Sequence, residues 1–556
     1  MGDRLLPRAG DAAWIVDALE SERPTFTPPP GVTGITVPHH LLAPDLIARG
    51  FWAASVGEYD RVILVAPDHF HAVSGKFATT LSDFATPFGP VAVDAGAVDA
   101  LRRGSAAFEL LPDMAGEHGV HVLTPFVRRF WPQARLVPVL APPDAPPEAW
   151  EALARTLLPL VTPRTLLVQS TDFSHYLPLA TAVRLDQQSL AVIAAGEAHR
   201  VRSLVQPAHV DSKAGQFVQM AVQDALGAGP VVLANRSSAE YGAGDRETTS
   251  YVVTAYLRDP AAGARFRYAD QDVVYFGGDA LLGRNLTRVL RDPRATDAVV
   301  AASRAVTGGA PLVLNLEGVM LEEVPSGLPP RAHLMLSSLA VPVLQRLGVR
   351  AVSLANNHSH DLGFAGVAET ERILRAHGIA AIRHGRTHDL GPVRVLALGF
   401  VAGGAASNPT VTGPADLDRV CATPAAPPLA AFVHWGREYV AEPGPAEIAA
   451  ARRLEICGVS LVVGAHSHTA SRRVVPAGAS GALMVGSLGN FLFDQHGPRS
   501  GGALLEMRIF RQGTIAGRLI PLPNLYQTGV RARTAGQPAT PHATSAPTLR
   551  AGGLVR

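Results

Sequence analysis

Short apolar runs, each closed by a polar cluster, recur along the whole chain. In the first half they are Gly34–His40, Arg61–His69, Arg135–Leu140 and Thr165–His175, with helix-period stretches such as Pro147–Leu160 and Arg184–Ala195 between them. Strand runs alternating with helical periodicity predict a largely parallel sheet flanked by helices. Ser250–Leu257 predicts a last strand, and Arg258–Asp272, lower in apolar content and richer in Pro, Gly and charge, predicts a linker. The second half carries six further β-type runs: Val273–Asp279, Pro311–Glu317, Ala351–His358, Leu429–His434, Ser460–His468 and Ala482–Asn490. Open α/β sheets bind ligands beyond the carboxyl ends of their strands. Six strands that end in carboxylate, Asn or His are therefore predicted to gather those groups around one crevice.

The predicted organisation is an N-terminal extension over 1–33, an α/β domain over 34–257, a linker over 258–272, a second α/β domain over 273–526 and a disordered tail over 527–556, rich in Ala, Thr, Pro and Gly. Composition narrows this picture. A chain of 556 residues exceeds one ordinary domain, and 47% apolar with 17% charged residues excludes a disordered or fibrous chain. A net charge of +2 recommends neither nucleic acid nor an acidic surface as a partner. With only Cys421 and Cys457, a disulfide scaffold or an all-thiolate metal cluster is excluded. Asp3, Asp11, Asp17 and Glu20 interrupt the apolar residues of the N-terminus, where a secretory signal needs an unbroken core. No run approaches the roughly 18 apolar residues of a membrane span, so the expectation is a soluble cytoplasmic protein.

The strand ends of the second half carry metal chemistry. A divalent cation wants carboxylate oxygen, amide oxygen and imidazole nitrogen, and the candidates are Asp279, Glu317, Asn356, Asn357, His358, His434, His466 and His468. On an extended chain His466 and His468 point the same way and reach one position. Taken singly, each has an ordinary role: Asp279 as a turn or cap residue, Asn356-Asn357 as turn chemistry, His434 as a core histidine beside Trp435. Six separate strand ends collecting such groups by accident is far less ordinary.

These residues also fall in ordered motifs: Gly278-Asp279 with Leu282-Gly283-Arg284, Asn315-Leu316-Glu317-Gly318, Ala355-Asn356-Asn357-His358-Ser359 continuing to Asp361-Leu362-Gly363, His434-Trp435-Gly436-Arg437-Glu438-Tyr439, Gly464-Ala465-His466-Ser467-His468 and Ser487-Leu488-Gly489-Asn490-Phe491. In these the second half, from about Val273 to Tyr526, resembles the bacterial capsule-synthesis (CapA, poly-γ-glutamate) family, whose fold is similar to calcineurin-like metallophosphoesterases. The resemblance implies an α/β/β/α sandwich holding one or two divalent ions (Mn, Fe or Zn). Asp279, Glu317, Asn357, His434, His466 and His468 would be ligands, His358 the acid for the leaving group, and Asn356 and Asn490 would line the cleft. Two departures from the phosphoesterase pattern stand out. Leu281 occupies the place of a histidine two residues after the first Asp, and Glu317 stands where a Gly-Asp pair is usual, leaving one metal sphere short of an imidazole.

The first half offers Pro38-His39-His40, Ala66-Pro67-Asp68-His69, Thr86-Pro87-Phe88-Gly89 followed by Val93-Asp94, Glu117-His118-Gly119-Val120, Ser170-Thr171-Asp172-Phe173-Ser174-His175 and Thr249-Ser250-Tyr251. Two histidines and one carboxylate, with Asp211 as the third member, would make a facial triad suited to Fe(II). Asp211 heads a helical stretch and reads equally as its N-cap, while His40 and His71 read as neighbours without a role. This half, over about Gly34 to Leu257, resembles the MEMO-like family (AmmeMemoRadiSam system protein B), which is similar in fold to extradiol dioxygenases. The resemblance implies an iron or other metal ion at His39, His69 and a third position, usually a cysteine of a Cys-Gly pair but here Asp211-Ser212. Asp172, His175, Glu117 and His118 would line the cleft. After Glu117-His118 the family usually has Ser-hydrophobic-Glu, where this chain has Gly119-Val120-His121.

Three expectations follow. The leading one is a metal-dependent hydrolase of a phosphoester or of an amide in an envelope polymer, linked to capsule or poly-γ-glutamate-type metabolism. The second is a non-catalytic metal-binding scaffold for partners implied by the resemblance, a radical-SAM protein and an AmmeMemoRadiSam protein A-like protein. The third is extradiol-type oxygen chemistry in the N-terminal half.

Overall fold

β-Branched and leucine-rich runs become buried strands along both halves. The computed structural model describes residues 12–324, 332–402, 408–411, 413–418, 428–496 and 501–535. In the N-terminal half, strands Val32–Val37, Arg61–Pro67, Arg135–Ala141 and Thr165–Ser170 pair in parallel at the centre of a nine-stranded sheet. Thr248–Leu257, the expected last strand, runs antiparallel to Val32–Val37, and it pairs on its other side with Gly229–Ser237, which the apolar pattern did not mark. Helices Pro44–Ala54, Pro147–Leu157, Leu179–Ala195 and Lys213–Ala225 flank this sheet.

The C-terminal half is a sandwich. Its first sheet has seven strands and includes Gln271–Ala280, Leu312–Leu316 and Val349–Ser353, together with the antiparallel hairpin Gly502–Phe510 and Ile515–Leu522. The second sheet, of six strands, is built around Arg394–Gly399, Leu429–His434 and Val459–Ala465, all parallel. Val274, Phe276 and Val313 of the first sheet share one core with Phe432, Leu461 and Val463 of the second. Helices Pro293–Thr307, Ser337–Leu347 and Gly363–Ala376 cover the outer face of the first sheet, and Pro445–Ile456 that of the second. The chain is thus α/β throughout, in two domains, the second layered α/β/β/α.

Three expected boundaries shift. The extension is part of the first domain: helix Ala12–Ser21 contributes Trp14, Ile15, Ala18 and Leu19 to its core, and Trp14 meets Phe126 edge-on at 5.9 Å. The linker is packed, because Phe266 is fully buried and Arg49 lies 4.4 Å over the Tyr268 ring while its Nη1 donates to Asp270 at 3.0 Å. Local composition reads as a linker, but one buried aromatic in such a segment suffices to fix it. The expected tail begins with helix Leu525–Thr534, whose Leu525 and Tyr526 pack in the second core; residues 536–556 lie outside the described residues.

The domains are also bonded to each other. Gln187 donates to the carbonyls of Gly481 and Ile515 and accepts from the Ile515 amide at 2.8 Å. Thr514 Oγ1 donates to Asn235 Oδ1 at 2.6 Å, and Asn235 donates in turn to Asp186, which also accepts from Ser174 and Ser250. Burial pushes the Asp186 carboxyl up to about 6, against the pull of those three donors.

Candidate metal centres

Asp279 is the penultimate residue of the first C-terminal strand, Gln271–Ala280. Gly278 before it lies so close to the adjoining chain that a Cβ would stand 1.9 Å from Gly489 O, so only glycine lets the Asp279 amide bond that carbonyl, at 2.9 Å. The Asp279 carboxylate accepts from Asn315 Nδ2 (2.8 Å) and the His466 amide (3.1 Å), and its Oδ2 lies 3.3 Å from His468 Nδ1. Burial raises its pKa, opposed by His468 and Asn315.

Glu317 follows the neighbouring strand, Leu312–Leu316, is 1% exposed, and its Oε2 has no hydrogen-bond partner among the described residues. Burial first, then Asp279 and Glu438, push its carboxyl well above the ordinary range. From the second sheet come His434, His466 and His468. Glu317 joins two donor groups that span the sheets: Asp279, Glu317 and His468 lie with ligand atoms within 4.8 Å of one another, and so do Glu317, His434 and His466; a third set pairs it with His333 and His358. Asn357 Oδ1 adds to the second group, 2.8 Å from His434 Nε2. Asn315 Nδ2 lies 3.1 Å from His434 Nδ1 and so braces that ring. His434 is held well below its ordinary pKa by burial and His466, and His466 at about 4 by burial and His468.

One expectation is corrected here. His466 and His468 are not on an extended chain: both have positive φ (89° and 56°), and their ring centroids stand 6.3 Å apart, serving two positions rather than one. Such φ values in non-glycine residues are costly and cluster at functional sites. Leu281, where an imidazole would complete the Asp279 group, is fully buried in the apolar core. Asn490 Oδ1 lies 2.9 Å from His468 Nδ1 and so orients that ring. Asn356 is a bracket, since its Nδ2 donates to Asn315 Oδ1 and Leu316 O.

His358 stands beside the pair of groups, with Nδ1 3.0 Å from Asp361 Oδ2, which leaves Nε2 for the site. Three neighbours were given no role by the sequence reading, although two of them, Asn315 and Asp361, lie in its motifs. Asp361 orients His358, and its i+3 spacing was a usable signal. Asn315 pins both Asp279 and His434. His333 precedes its strand, Leu334–Leu336, and stacks on His358 at 3.6 Å, so a search of strand ends could not find it. Burial, His358 and Arg284 hold His333 down at about 3.

In the N-terminal half, His39 and His69 follow strands Val32–Val37 and Arg61–Pro67, which flank Thr165–Ser170 in the parallel sheet, and face Asp211. His39 Nε2 lies 3.3 Å and His69 Nε2 3.9 Å from Asp211 Oδ2, and Asp172 Oδ2 is 3.5 Å from His39 Nε2. The far nitrogens are oriented: His39 Nδ1 by Ser170 Oγ at 3.0 Å, His69 Nδ1 by Glu117 Oε1 at 2.7 Å. Glu117 is therefore a support rather than cleft lining. Asp211 is not the N-cap, because the Ser212 side chain caps helix Lys213–Ala225, freeing Asp211 to accept from Thr171 Oγ1 and the Asp172 amide. Burial pushes Asp211 up to about 6 and Asp172 well above its range, and it holds His39 well below its own. His118 stacks on His69 at 3.9 Å, His175 lines the same cavity of about 900 Å³, and so does His40, bonded to Tyr251.

Both donor sets suit a divalent cation. Burial favours the neutral form of His39, His434 and His466, the form that ligation requires. Their carboxylates are buried with too little positive charge around them, and among the described residues Glu317 Oε2 and His466 Nδ1 are buried without hydrogen-bond partners.

The fold and the sites define a two-domain α/β protein with a histidine–carboxylate cluster at the carboxyl ends of the strands in each domain. Residues 19–253 match the family model "Memo-like protein", and residues 273–391 and 415–495 match "Bacterial capsule synthesis protein PGA_cap". The chain carries a Memo domain in its N-terminal half and a PGA_cap domain in its C-terminal half. It is 28% identical over 226 residues to the capsule biosynthesis protein CapA of Bacillus anthracis, covering 34% of this chain and 51% of that one. Identity is 26% over 267 residues to the PGA biosynthesis protein CapA of Bacillus subtilis (43% of this chain, 68% of that one) and 29% over 166 residues to a MEMO1 family protein of Thermotoga maritima (29% and 60%). The chain thus spans about half to two thirds of the length of these relatives. Among the described residues no helix is long and apolar enough to cross a membrane.

Proposed function

We propose that the PGA_cap domain is a metal-dependent hydrolase, and that its substrate is a phosphoester of the cell-envelope polymer metabolism in which the CapA relatives are named. The observation that carries this reading is Glu317: one buried carboxylate, its Oε2 without a hydrogen-bond partner among the described residues, shared by the Asp279/His468 and His434/His466 groups. Asp279, Glu317 and His468 would hold one divalent ion, and Glu317, Asn357, His434 and His466 a second, of Mn, Fe or Zn. Bound there, the ions would supply Lewis acidity toward the phosphoryl oxygens and an activated water. The chain's own residues do the rest. Asn315 and Asn490 fix the rotamers of Asp279, His434 and His468. Asp361 holds His358 with Nε2 toward the cleft, where it can hand a proton to the leaving oxygen.

The test is turnover of p-nitrophenyl phosphate and bis-p-nitrophenyl phosphate by the full chain loaded with Mn²⁺, Fe²⁺ or Zn²⁺, against a chelated control. Metal-dependent turnover supports the reading. Fewer than one equivalent bound by this domain and no turnover of either ester overturns it. Cleavage of poly-γ-glutamate but of neither ester would move the substrate to the amide.

We propose also that His39, His69 and Asp211 hold one cation in the Memo domain, with Asp172 at its edge. Replacement His39→Ala is expected to lower the metal content of iron-loaded protein by one equivalent while leaving turnover at the PGA_cap domain unchanged. Elemental analysis beside the phosphatase assay reads both.

A further inference from the structure

Arg284 sits at the lip of the PGA_cap cluster in an unusual setting. Its φ is +51°, in the left-handed region that a residue with a Cβ rarely adopts. Gly283 before it touches the neighbouring strand so closely that a Cβ would stand 1.9 Å from Leu334 O. The turn is thereby pressed onto the chain that carries His333.

The guanidinium is 44% exposed and yet anchored on three sides. Its Nη2 lies 3.2 Å from Oδ1 of Asp494, whose side chain is fully buried. Its Nη1 lies 3.4 Å from His333 Nε2, and its Cζ is 5.7 Å from the centroid of the Phe493 ring. Guanidinium only donates, so the His333 nitrogen that faces it must accept. His333 is stacked on His358, nearly parallel at 17°. Donor atoms of Glu317, His333 and His358 fall within 4.8 Å of one another, but the lone pairs of two parallel rings point along parallel planes and cannot meet on one ion. The stack is therefore a wall that runs from the leaving-group acid to Arg284. It is not a third metal position.

A guanidinium held by one hydrogen bond, an ion pair to a buried carboxylate and a ring face, with part of its surface open, is built to hold an oxyanion. We infer that Arg284 is the specificity-determining residue for a phosphomonoester. The inference rests on the hydrolase reading and names the substrate class. With two of its terminal oxygens taken up at the cluster, a monoester still presents a third charged oxygen to Arg284; in a diester that oxygen is esterified. Asp494, His333 and Phe493 act as positioning residues that aim the guanidinium.

The test uses the metal-loaded full chain as parent, Arg284→Ala and Arg284→Lys. Inorganic phosphate affinity is measured by calorimetry, kcat/KM on p-nitrophenyl phosphate and bis-p-nitrophenyl phosphate by absorbance, and metal content by elemental analysis. Arg284→Ala is expected to weaken phosphate binding by about 10-fold or more and to lower monoester kcat/KM by about 100-fold. The diester should change by less than about 3-fold, with metal content unchanged. Arg284→Lys, which restores the charge but not the fork, should fall between parent and Arg284→Ala. Should Arg284→Ala lose metal or fail to fold, Arg284→Gln replaces it, because the stem remains to cover Phe493. An unchanged phosphate affinity together with an unchanged monoester-to-diester ratio overturns the inference. A parent that binds phosphate through Arg284 but cleaves neither ester supports the anion site and sinks the hydrolase reading instead.

Discussion

Replacing Glu317 with glutamine is expected to empty both cation positions of the PGA_cap domain and to lower phosphoester kcat on the order of 10³-fold, equivalent to about 4 kcal/mol of transition-state stabilisation. No other residue there belongs to both the Asp279/His468 and the His434/His466 groups. Loss of a ligand from one group alone leaves the other group complete; loss of Glu317 leaves neither. The same substitution should make the metal-free protein more stable, by about 1–3 kcal/mol, because it removes a buried carboxyl whose Oε2 has no hydrogen-bond partner among the described residues. Opposite signs for metal-free stability and for activity separate a ligand from a structural residue. A glutamine variant that keeps two equivalents of metal, or that melts lower without metal, would rule out the shared-ligand role.

Loss of Glu506 should have the largest effect on stability. This carboxylate, 1% exposed, accepts from Arg508 Nε at 2.6 Å, from Arg518 at 2.9 Å through Nε and Nη2, and from Tyr275 Oη at 2.6 Å. Burial alone would raise its pKa, but Arg508 and Arg518 outweigh it and hold the carboxyl far below the ordinary range. In Glu506→Gln two guanidinium groups remain buried without a counter-charge. The expected cost is about 3–5 kcal/mol, a fall in Tm on the order of 10 °C. The sign with pH follows from the depressed value. The stabilisation is fully present above the unfolded carboxyl's pKa of about 4.3 and is lost as pH drops below it toward the folded value. Parent Tm should therefore fall more steeply below pH ~4.3 than that of Glu506→Gln. Parallel curves in a calorimetric pH series would contradict this account.

Much of this molecule was legible because its chemistry sits where strands end. Leu429–His434 is a strand over the same residues that its apolar run marks, and the groups at the ends of Gln271–Ala280, Leu312–Leu316 and Val459–Ala465 converge. Strands without polar ends were not visible: Arg394–Gly399 and the hairpin Gly502–Phe510/Ile515–Leu522 complete the sheets but carry no cluster at their ends to mark them. Side-chain direction was the harder part. Spacing alone placed His466 and His468 on one side of an extended chain, whereas positive φ at both fans them apart. Asp211 and Ser212 compete for one cap, and only the Ser212 bond to the Gly215 amide shows which residue is free. His333 reaches its site by tertiary contact and leaves no local trace.

The bonded boundary between the halves has a practical meaning. Phe510 and Ala516 of the second half lie in the first domain's core, and Ala191 of the first lies in the second's. Scissors applied at 258–272 would uncover these side chains and leave the Gln187 amide and the Thr514 hydroxyl without their mates. Fragments made that way are expected to stick to one another or to precipitate, so the smallest soluble preparation that reports faithfully on either cleft is the uncut polypeptide.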